Sequence, residues 1–381
     1  MDNQKNLFSL PDDFHYLNCS YMSPLLKSVE EAGIRGIRLK REPWRVHPDD
    51  FFSQSDTLRE LFAQVIHSDD PKRIAIIPSV SYGMANVAQN LPKTSGKNIV
   101  VAGEQFPSNY YPWLRYAKEN NAEIRQIKRP DQNTNWNEII MQAIDQHTLL
   151  VALGNVHWTD GYLFDLKTIA KKARSVDAYF VIDGTQSVGA LPFNIEEIKP
   201  DALICAGYKW LMGPYAIGMA YFGKRFDHGI PVEENWLLRQ DSEDFSQLVN
   251  YTDVYQPKAI RYDMGERSNF ILGPMMITAL QQIINWGVEN IQEYCCRLTD
   301  KLSDGLDSLG YTLEQSDRRA GHILGIRLPD HIETETAKQV FSDHHISVSF
   351  RSNTIRISPN VYNTLQDIES MRLVLRDLVT K

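Results

Sequence analysis

Short apolar runs alternate with amphipathic stretches along the chain from about residue 70. The amphipathic stretches have helical periodicity: Val80, Met84, Val87 and Leu91 recur at the spacing of one helix face. The apolar runs have the length and composition of buried strands, and they cover residues 73–77, 98–102, 123–128, 149–153, 179–182, 202–205 and 218–222. Strands that alternate with helices are typical of βα units. The pattern therefore predicts an α/β domain with a mostly parallel seven-stranded sheet covered by helices.

The pattern changes after about residue 227, where the sequence becomes polar and the alternation stops. Helical stretches are predicted over residues 274–286, 288–309, 334–341 and 365–378. Short strands are predicted over residues 311–314, 323–328, 346–350 and 354–358. This second pattern indicates a smaller α+β domain. We therefore expect a large α/β domain over residues 16–260 and a small domain over residues 261–381 that residues 1–15 join.

Composition and charge narrow the class of protein. Of 381 residues, 43% are hydrophobic and 23% are charged, which is a globular rather than a disordered profile. The 40 Lys and Arg residues against 48 Asp and Glu residues give a formal net charge of −8, so no basic surface for nucleic acid is expected. The four cysteines have no zinc-site spacing, and the first residues have no secretory signal pattern. We therefore expect a cytoplasmic protein without a metal site, a nucleic-acid partner or a membrane partner.

The longest apolar run, residues 202–223, contains one charged side chain, Lys209. The run also contains four glycines and Pro214, so a buried core segment is favoured over a membrane span. Burying an ammonium ion is costly, and Lys209 should therefore be paired, neutral or covalently bound. An ordinary lysine that reaches water from a strand end is one alternative. The other is a Schiff-base lysine, whose lowered pKa makes the amine nucleophilic.

Three further segments at predicted strand ends suit pyridoxal phosphate. Asp183 could keep a pyridine nitrogen protonated, although a turn role is also common after a strand. Ser81 lies where a helix N-terminus could bind a phosphate, or where a serine could simply cap the helix. Phe106 could stack on a cofactor ring or fill the core. The glycine-rich signatures of NAD and ATP sites are absent from the sequence, so those cofactors are disfavoured.

Residues 183–189 and 201–214, in their order and spacing, resemble the aminotransferase class V family of pyridoxal-phosphate enzymes. That family includes cysteine desulfurases, kynureninases and isopenicillin-N-epimerase-like proteins. The similarity extends from Tyr16 to the segment that begins at Arg356. It implies the fold type I of pyridoxal-phosphate-dependent transferases, pyridoxal phosphate as the cofactor, an amino-acid substrate and a homodimer.

The resemblance also implies roles for individual residues. Lys209 would form the Schiff base with the cofactor and move protons at the substrate Cα, and Arg356 would bind the substrate carboxylate. The backbone N–H groups of Ser81 and Tyr82 would bind the phosphate, and Asn269 lies in a segment that reaches the partner's cofactor in such dimers. The cofactor-binding residues implied in this way are Ser81, Tyr82, Phe106, Trp158, Asp183, Gln186, Tyr208 and Asn269.

The sequence leaves the reaction open. A cysteine desulfurase of this family needs a cysteine shortly before the carboxylate-binding arginine, and residues 344–354 contain none. A transaminase or a lyase is therefore the main interpretation, and an amino-acid epimerase or an enzyme similar to cysteine desulfurase or selenocysteine lyase is the alternative. A binding or regulatory protein that keeps the fold without turnover is the alternative from another class. His157 is a candidate for a second acid–base group.

Overall fold

A computed structural model describes residues 1–380. The strands are β1 (His15–Tyr16), β2 (Ile74–Ile77), β3 (Asn98–Ala102), β4 (Glu123–Ile127), β5 (Thr148–Gly154), β6 (Tyr179–Asp183), β7 (Ala202–Ala206), β8 (Gly218–Phe222), β9 (Thr312–Leu313), β10 (Leu324–Arg327), β11 (Ile346–Ser347), β12 (Ser349–Arg351) and β13 (Thr354–Ile357). The α-helices are α1 (Lys27–Lys40), α2 (Asp50–Val65), α3 (Val80–Asn90), α4 (Tyr111–Asn120), α5 (Trp136–Ala143), α6 (Leu166–Ser175), α7 (Ile195–Ile198), α8 (Leu272–Trp286), α9 (Val288–Ser303), α10 (Thr334–Asp343) and α11 (Leu365–Thr380).

Within the described residues, seven strands form the large sheet, in the order β2-β8-β7-β6-β5-β3-β4. Only β8 is reversed in this sheet, since it pairs antiparallel with both β2 and β7. The strands β2, β3, β5, β7 and β8 are buried along their whole length, and apolar clusters cover both faces of the sheet. The mostly parallel seven-stranded sheet predicted from the sequence is confirmed, and each strand lies within two residues of its predicted bounds.

The carboxyl ends of the parallel strands meet at one edge of this sheet, where open α/β sheets form a crevice. Ser79 follows β2, Phe106 follows β3 and Trp158 follows β5. Asp183 is the last residue of β6, and Lys209 comes shortly after β7. The topology thus collects these side chains at one edge although they are far apart in sequence.

The C-terminal part of the chain contains a four-stranded antiparallel sheet in the order β12-β13-β10-β9. Helices α10 and α11 and the C-terminal part of α9 pack on it around a separate apolar cluster. Leu17 joins this cluster from the N-terminal segment, and β1 pairs in parallel with β11. These elements form the smaller α+β unit that the sequence predicts.

Helix α8 packs with the large sheet rather than with the small one. Its buried residues Met276, Leu280 and Ile283 belong to the apolar cluster that covers one face of the large sheet. The cluster of the smaller unit begins later in the chain, at Tyr294 on α9. The domain boundary at residue 261 stays a prediction, and this packing favours a position nearer to α9.

The predicted helix over residues 288–309 is too long, because α9 ends at Ser303. Gly305 has a φ of +74°, in the left-handed region that breaks a helix. No helix within residues 1–380 combines the length and the apolarity needed to cross a bilayer.

Candidate active site

A cavity of about 230 Å³ lies at the carboxyl ends of the parallel strands. Its lining includes seven of the residues selected from the sequence, namely Ser81, Phe106, Trp158, Asp183, Gln186, Tyr208 and Lys209. Two others, Tyr82 and Asn269, are not part of the lining, and Arg356 lies behind Trp158. The structure therefore brings most of the predicted site together in one place.

Lys209 is the buried amine of this cavity. Its side chain lies in the turn after β7, and the residue is only 6% exposed. Its Nζ lies 5.5 Å from the centre of the Phe106 ring and 5.7 Å from that of Tyr208. Burial and the nearby Arg356 guanidinium lower the pKa of Lys209 to about 8. A lysine with this pKa supplies neutral, nucleophilic amine near neutral pH.

Asp183 provides the carboxylate of the cavity. It ends β6 between β5 and β7, and its Oδ1 accepts a hydrogen bond from the Thr185 N–H at 3.0 Å. Burial raises the pKa of Asp183, while the hydrogen bonds from Thr185 and the nearby Lys209 oppose that rise. The second carboxylate oxygen is left available for a hydrogen-bond donor on a ligand.

Gln186 is held by two protein hydrogen bonds. Its Nε2 donates to the Ser20 carbonyl at 3.1 Å, and its Oε1 accepts from the Trp210 indole at 3.0 Å. The backbone carbonyl of Gln186 accepts from Nε2 of the fully buried His322 at 2.7 Å. The amide of Gln186 is therefore fixed in orientation, and its second N–H is free for a ligand.

Two aromatic residues form one wall of the cavity. The rings of Phe106 and Trp158 meet edge to face, with 5.4 Å between their centres. The Trp158 indole donates to the Glu104 carbonyl at 2.6 Å, which fixes the ring. Phe106 is more than one-third exposed, so it borders the opening. A planar ligand ring can stack in such a wall.

The N-terminus of α3 provides backbone donors on another side of the cavity. Ser79 caps the helix, because its Oγ accepts from the Tyr82 N–H at 3.2 Å. The N–H groups of Val80 and Ser81 belong to the first turn, where no intrahelical carbonyl can accept them. Both residues line the cavity. These two N–H groups and the helix dipole suit a phosphate.

The expected phosphate contact of Tyr82 does not fit this geometry, since the Ser79 hydroxyl already accepts its N–H. The Tyr82 hydroxyl points elsewhere, to Glu233 and to the Asp263 carbonyl at 3.3 Å each. We therefore replace Tyr82 by Val80 as the neighbour of Ser81 in the candidate phosphate site.

Arg356 on β13 is a buried guanidinium without a carboxylate partner within residues 1–380. It is 1% exposed, and its Nη1 donates to the Trp158 carbonyl at 2.9 Å. Its Nη2 donates to the Ser349 hydroxyl at 3.3 Å, and its buried Nε has no partner. Burial, together with the nearby Arg351, lowers the pKa of Arg356 to about 9. A buried cation that has no carboxylate partner is stabilised by an anionic ligand.

The sequence profile of the family described as aminotransferase class-V matches residues 48–371, which is most of the chain. The chain belongs to this family. Its cofactor is pyridoxal phosphate, as in the other class-V enzymes. The expectations that the resemblance gave for the family, the fold and the cofactor are confirmed.

Relatives of known name support this assignment. The chain is 26% identical over 339 residues to a protein of Pyrococcus abyssi named "Probable cysteine desulfurase", covering 84% of this chain and 82% of that one. It is 22% identical over 371 residues to a kynureninase of Bacillus anthracis, covering 93% of this chain and 83% of that enzyme.

Solved structures share the fold. The apo cysteine desulfurase of Thermococcus onnurineus superposes with a TM-score of 0.84 at 21% identity, covering 100% of this chain and 99% of that one. The cystine C–S lyase C-DES in complex with cysteine persulfide gives a TM-score of 0.85 at 18% identity, covering 96% of this chain and 98% of that one.

The groups that line the cavity of this class-V enzyme match the chemical groups of the cofactor. A buried amine, a buried carboxylate with a free oxygen and two free N–H groups at a helix N-terminus line the same space. These groups are the partners that an aldehyde, a pyridine nitrogen and a phosphate require.

Asn269 and His157 have structural partners outside the cavity. Asn269 caps α8, since its Oδ1 accepts from the N–H groups of Ile271 at 3.1 Å and Leu272 at 2.9 Å. A role of Asn269 toward the partner's cofactor stays a prediction. His157 is buried and bonded to the Gly103 carbonyl at 3.1 Å, so an acid–base role at the cofactor is not favoured.

Several residues of the site were missed by reasoning from the sequence. Tyr215 and Thr185 line the cavity of this class-V enzyme, and Arg351 lies beside Trp158. Thr185 lies two residues after Asp183, and this proximity in sequence could have predicted its place in the cavity. Tyr215 and Arg351 carry no local motif, because their positions depend on a loop conformation and on a hairpin register.

Proposed function

We propose that this class-V enzyme converts an amino acid as a transaminase or a lyase, with Arg356 binding the α-carboxylate and Lys209 moving the Cα proton. The observation that carries the proposal is the buried Arg356 guanidinium, which has no carboxylate partner within residues 1–380 and donates to the backbone of Trp158 in the cavity wall. A free carboxylate on a small molecule would complete its hydrogen bonds.

The residues that would hold pyridoxal phosphate lie around the cavity. Lys209 would bind its aldehyde covalently, and Asp183 would accept a hydrogen bond from its pyridine nitrogen. Val80 and Ser81 would donate to its phosphate. The contacts to the ring and its phenolic oxygen would come from Phe106, Trp158 and Gln186, and the Tyr208 hydroxyl would reach the phosphate.

When bound, pyridoxal phosphate supplies an electron sink for the electron pair left at the substrate Cα. Arg356 would bind the carboxylate through two parallel N–H···O hydrogen bonds and so orient the Cα–H bond. Lys209 Nζ would accept the Cα proton, which requires the neutral amine that its lowered pKa supplies. The buried walls around Lys209 would limit the access of water to this proton.

The cysteines do not support a desulfurase reaction through a protein thiolate. Cys19, Cys205 and Cys295 are buried, and burial raises the pKa of each thiol. Cys296 is half-buried on α9, and none of the four lines the cavity. A reaction that needs no protein thiol is therefore favoured.

We also infer that the enzyme works as a homodimer. Tyr215 lines the cavity and is 64% exposed, and Tyr21 and Tyr111 are exposed to a similar degree. A second copy of this chain would cover these large side chains. Light scattering at low protein concentration should therefore give twice the mass of the chain. The four cysteines are unpaired, which supports a cytoplasmic location as part of the same proposal.

Exchange of the Cα proton tests the proposed function. The cofactor-loaded enzyme is incubated with a panel of acidic and neutral amino acids in D₂O, and loss of the Cα–H signal is followed by NMR. We expect exchange with at least one amino acid for the wild type and none for Lys209→Ala. The matched control is Lys171→Ala, which removes an exposed lysine from α6.

Equal exchange in wild type and Lys209→Ala would contradict the role of Lys209. A cofactor-loaded protein that exchanges no amino acid would favour a binding or regulatory function instead.

A further inference from the structure

Two arginines lie on the same face of the β12–β13 hairpin. Ser349 is paired with Arg356, and Arg351 is paired with Thr354. Residues two apart on a strand, and residues directly opposite each other, share one face of a sheet. Arg351 and Arg356 thus point to the same side, where their Cζ atoms lie 4.8 Å and 5.8 Å from the centre of the Trp158 ring.

Neither guanidinium has a carboxylate within ion-pair distance among residues 1–380. The Nε of Arg351 is buried without a partner, as is that of Arg356. Arg351 donates from Nη1 to the neighbouring Phe350 carbonyl at 2.7 Å. Without a bound anion, two neighbouring guanidinium groups repel each other and leave N–H donors unpaired. This arrangement therefore points to more than one negative charge on a ligand.

The cofactor phosphate does not account for this pair. The candidate phosphate donors Val80 and Ser81 follow β2, whereas Trp158 follows β5. In the sheet order β2-β8-β7-β6-β5 these ends are four strand steps apart, which is about 19 Å at about 4.8 Å per step. The two arginines therefore lie at the opposite side of the site from the phosphate donors.

One α-carboxylate does not account for the pair either. Its two oxygens match the two parallel N–H bonds of a single guanidinium, which the proposed function assigns to Arg356. Apart from Nη1, which donates to the Phe350 carbonyl, the donors of Arg351 then stay unused. Asp183 is the only carboxylate in the cavity lining within the described residues, while Arg351 and Arg356 are both cationic. The two guanidinium groups therefore carry more positive charge than one substrate α-carboxylate neutralises.

We propose that Arg351 binds a second acidic group, so that the substrates are amino acids with an acidic side chain, such as a second carboxylate. This inference rests on the proposed function, since it places the α-carboxylate on Arg356. Arg351 then determines specificity: an acidic side chain gains charged hydrogen bonds there, and a neutral one leaves the guanidinium unpaired.

Binding of unreactive acids tests the inference without turnover. Isothermal titration of the cofactor-loaded enzyme with succinate and with butyrate compares a dicarboxylate with a monocarboxylate of the same carbon number. We expect succinate to bind at least tenfold more tightly. Arg351→Gln should reduce this ratio to within about threefold, and Arg351→Lys should give an intermediate ratio. The matched control is Arg327→Gln on β10, an exposed arginine of the same sheet, and it should keep the wild-type ratio.

The turnover of aspartate or glutamate relative to alanine gives a second readout. The ratio of kcat/KM values should favour the acidic substrate in the wild type and fall at least tenfold in Arg351→Gln. Equal binding of succinate and butyrate by the wild type, or an unchanged ratio in Arg351→Gln, would overturn the inference. Cα exchange with neutral amino acids but no advantage for acidic ones would overturn it and leave the proposed function standing, whereas absence of exchange with every amino acid would overturn the proposed function itself.

Discussion

Nη1 of Arg356 donates to the backbone carbonyl of Trp158 at 2.9 Å. This bond joins a strand of the smaller unit to a loop of the large sheet, and the indole of the same Trp158 is fixed on the Glu104 carbonyl. The arginine proposed to bind the substrate is therefore positioned directly against the wall of the cofactor cavity. If Arg356 binds the substrate as proposed, the same side chain both holds the substrate and links the two units.

Replacing Arg356 by Lys should raise KM for the amino acid about 10- to 100-fold. The ammonium keeps the charge but loses the two parallel N–H bonds, and charged hydrogen bonds are each worth about 1.5–3 kcal/mol. Steady-state kinetics measures the effect, and cofactor absorbance shows that the site is still loaded. An unchanged KM would place the carboxylate elsewhere. Arg327→Gln serves as the control because Arg327 is exposed on the same small sheet.

Asp183→Asn should take up the cofactor but turn over at least about 100-fold more slowly. The amide has nearly the shape of the carboxylate, yet it cannot stabilise a protonated pyridine nitrogen, and losses of this order follow removal of one electrostatic stabiliser. Single-turnover absorbance measurements separate uptake from chemistry. Asp177→Asn alters a carboxylate whose side chain is exposed, in the loop before β6, and should have wild-type rates. Wild-type turnover by Asp183→Asn would refute the assignment.

Cofactor uptake by the apo protein should become faster as the pH rises toward 8 and then level off. The covalent link forms from the neutral amine, and the pKa of Lys209 is lowered to about 8 from the usual 10.5. Below that pKa the neutral fraction grows about tenfold per pH unit. Stopped-flow absorbance at pH 6 to 10 measures the rate. A rate that still rises steeply at pH 10 would show an ordinary lysine pKa and contradict the account.

His322 should make the fold sensitive to acid. Its Nε2 donates to the Gln186 carbonyl, and burial lowers its pKa to about 4 from 6.5. The unfolded chain then binds more protons between pH 6.5 and 4, so the stability that neutral His322 supports is lost as the pH falls through this range. Across the roughly 2.5 pKa units between these two values the loss amounts to about 3–3.5 kcal/mol, at about 1.4 kcal/mol per pKa unit.

Urea denaturation at pH 7 and pH 4.5 measures this loss. His322→Gln should be less stable at pH 7 but should lose about 2 kcal/mol less than the wild type on acidification. His47→Gln alters an exposed histidine and should follow the wild type. The same pH dependence in wild type and His322→Gln would show that other groups cause the acid sensitivity.

The large sheet could be predicted because buried parallel strands are nearly continuous apolar runs. The bounds of β3 and β8 match the prediction at every residue. The ends of such strands meet at one edge, so Asp183 and Lys209 could be placed in one site from their positions alone.

Other features depend on contacts that a sequence pattern does not encode. Helix α2 was not predicted, since polar Ser55 and Arg59 occupy buried positions and mask its apolar face. Tyr82 was assigned to the phosphate because the sequence does not show that the Ser79 hydroxyl accepts its N–H. Arg351 was missed because its place beside Trp158 follows from the pairing register of a hairpin.

The attachment of the cofactor to Lys209 is the central claim, and borohydride reduction followed by peptide mass mapping tests it most directly. We predict the mass of a reduced pyridoxyl phosphate group on the peptide that contains Lys209, and no adduct in Lys209→Ala. An adduct on another lysine of the wild type, or an equal adduct in Lys209→Ala, would contradict the account.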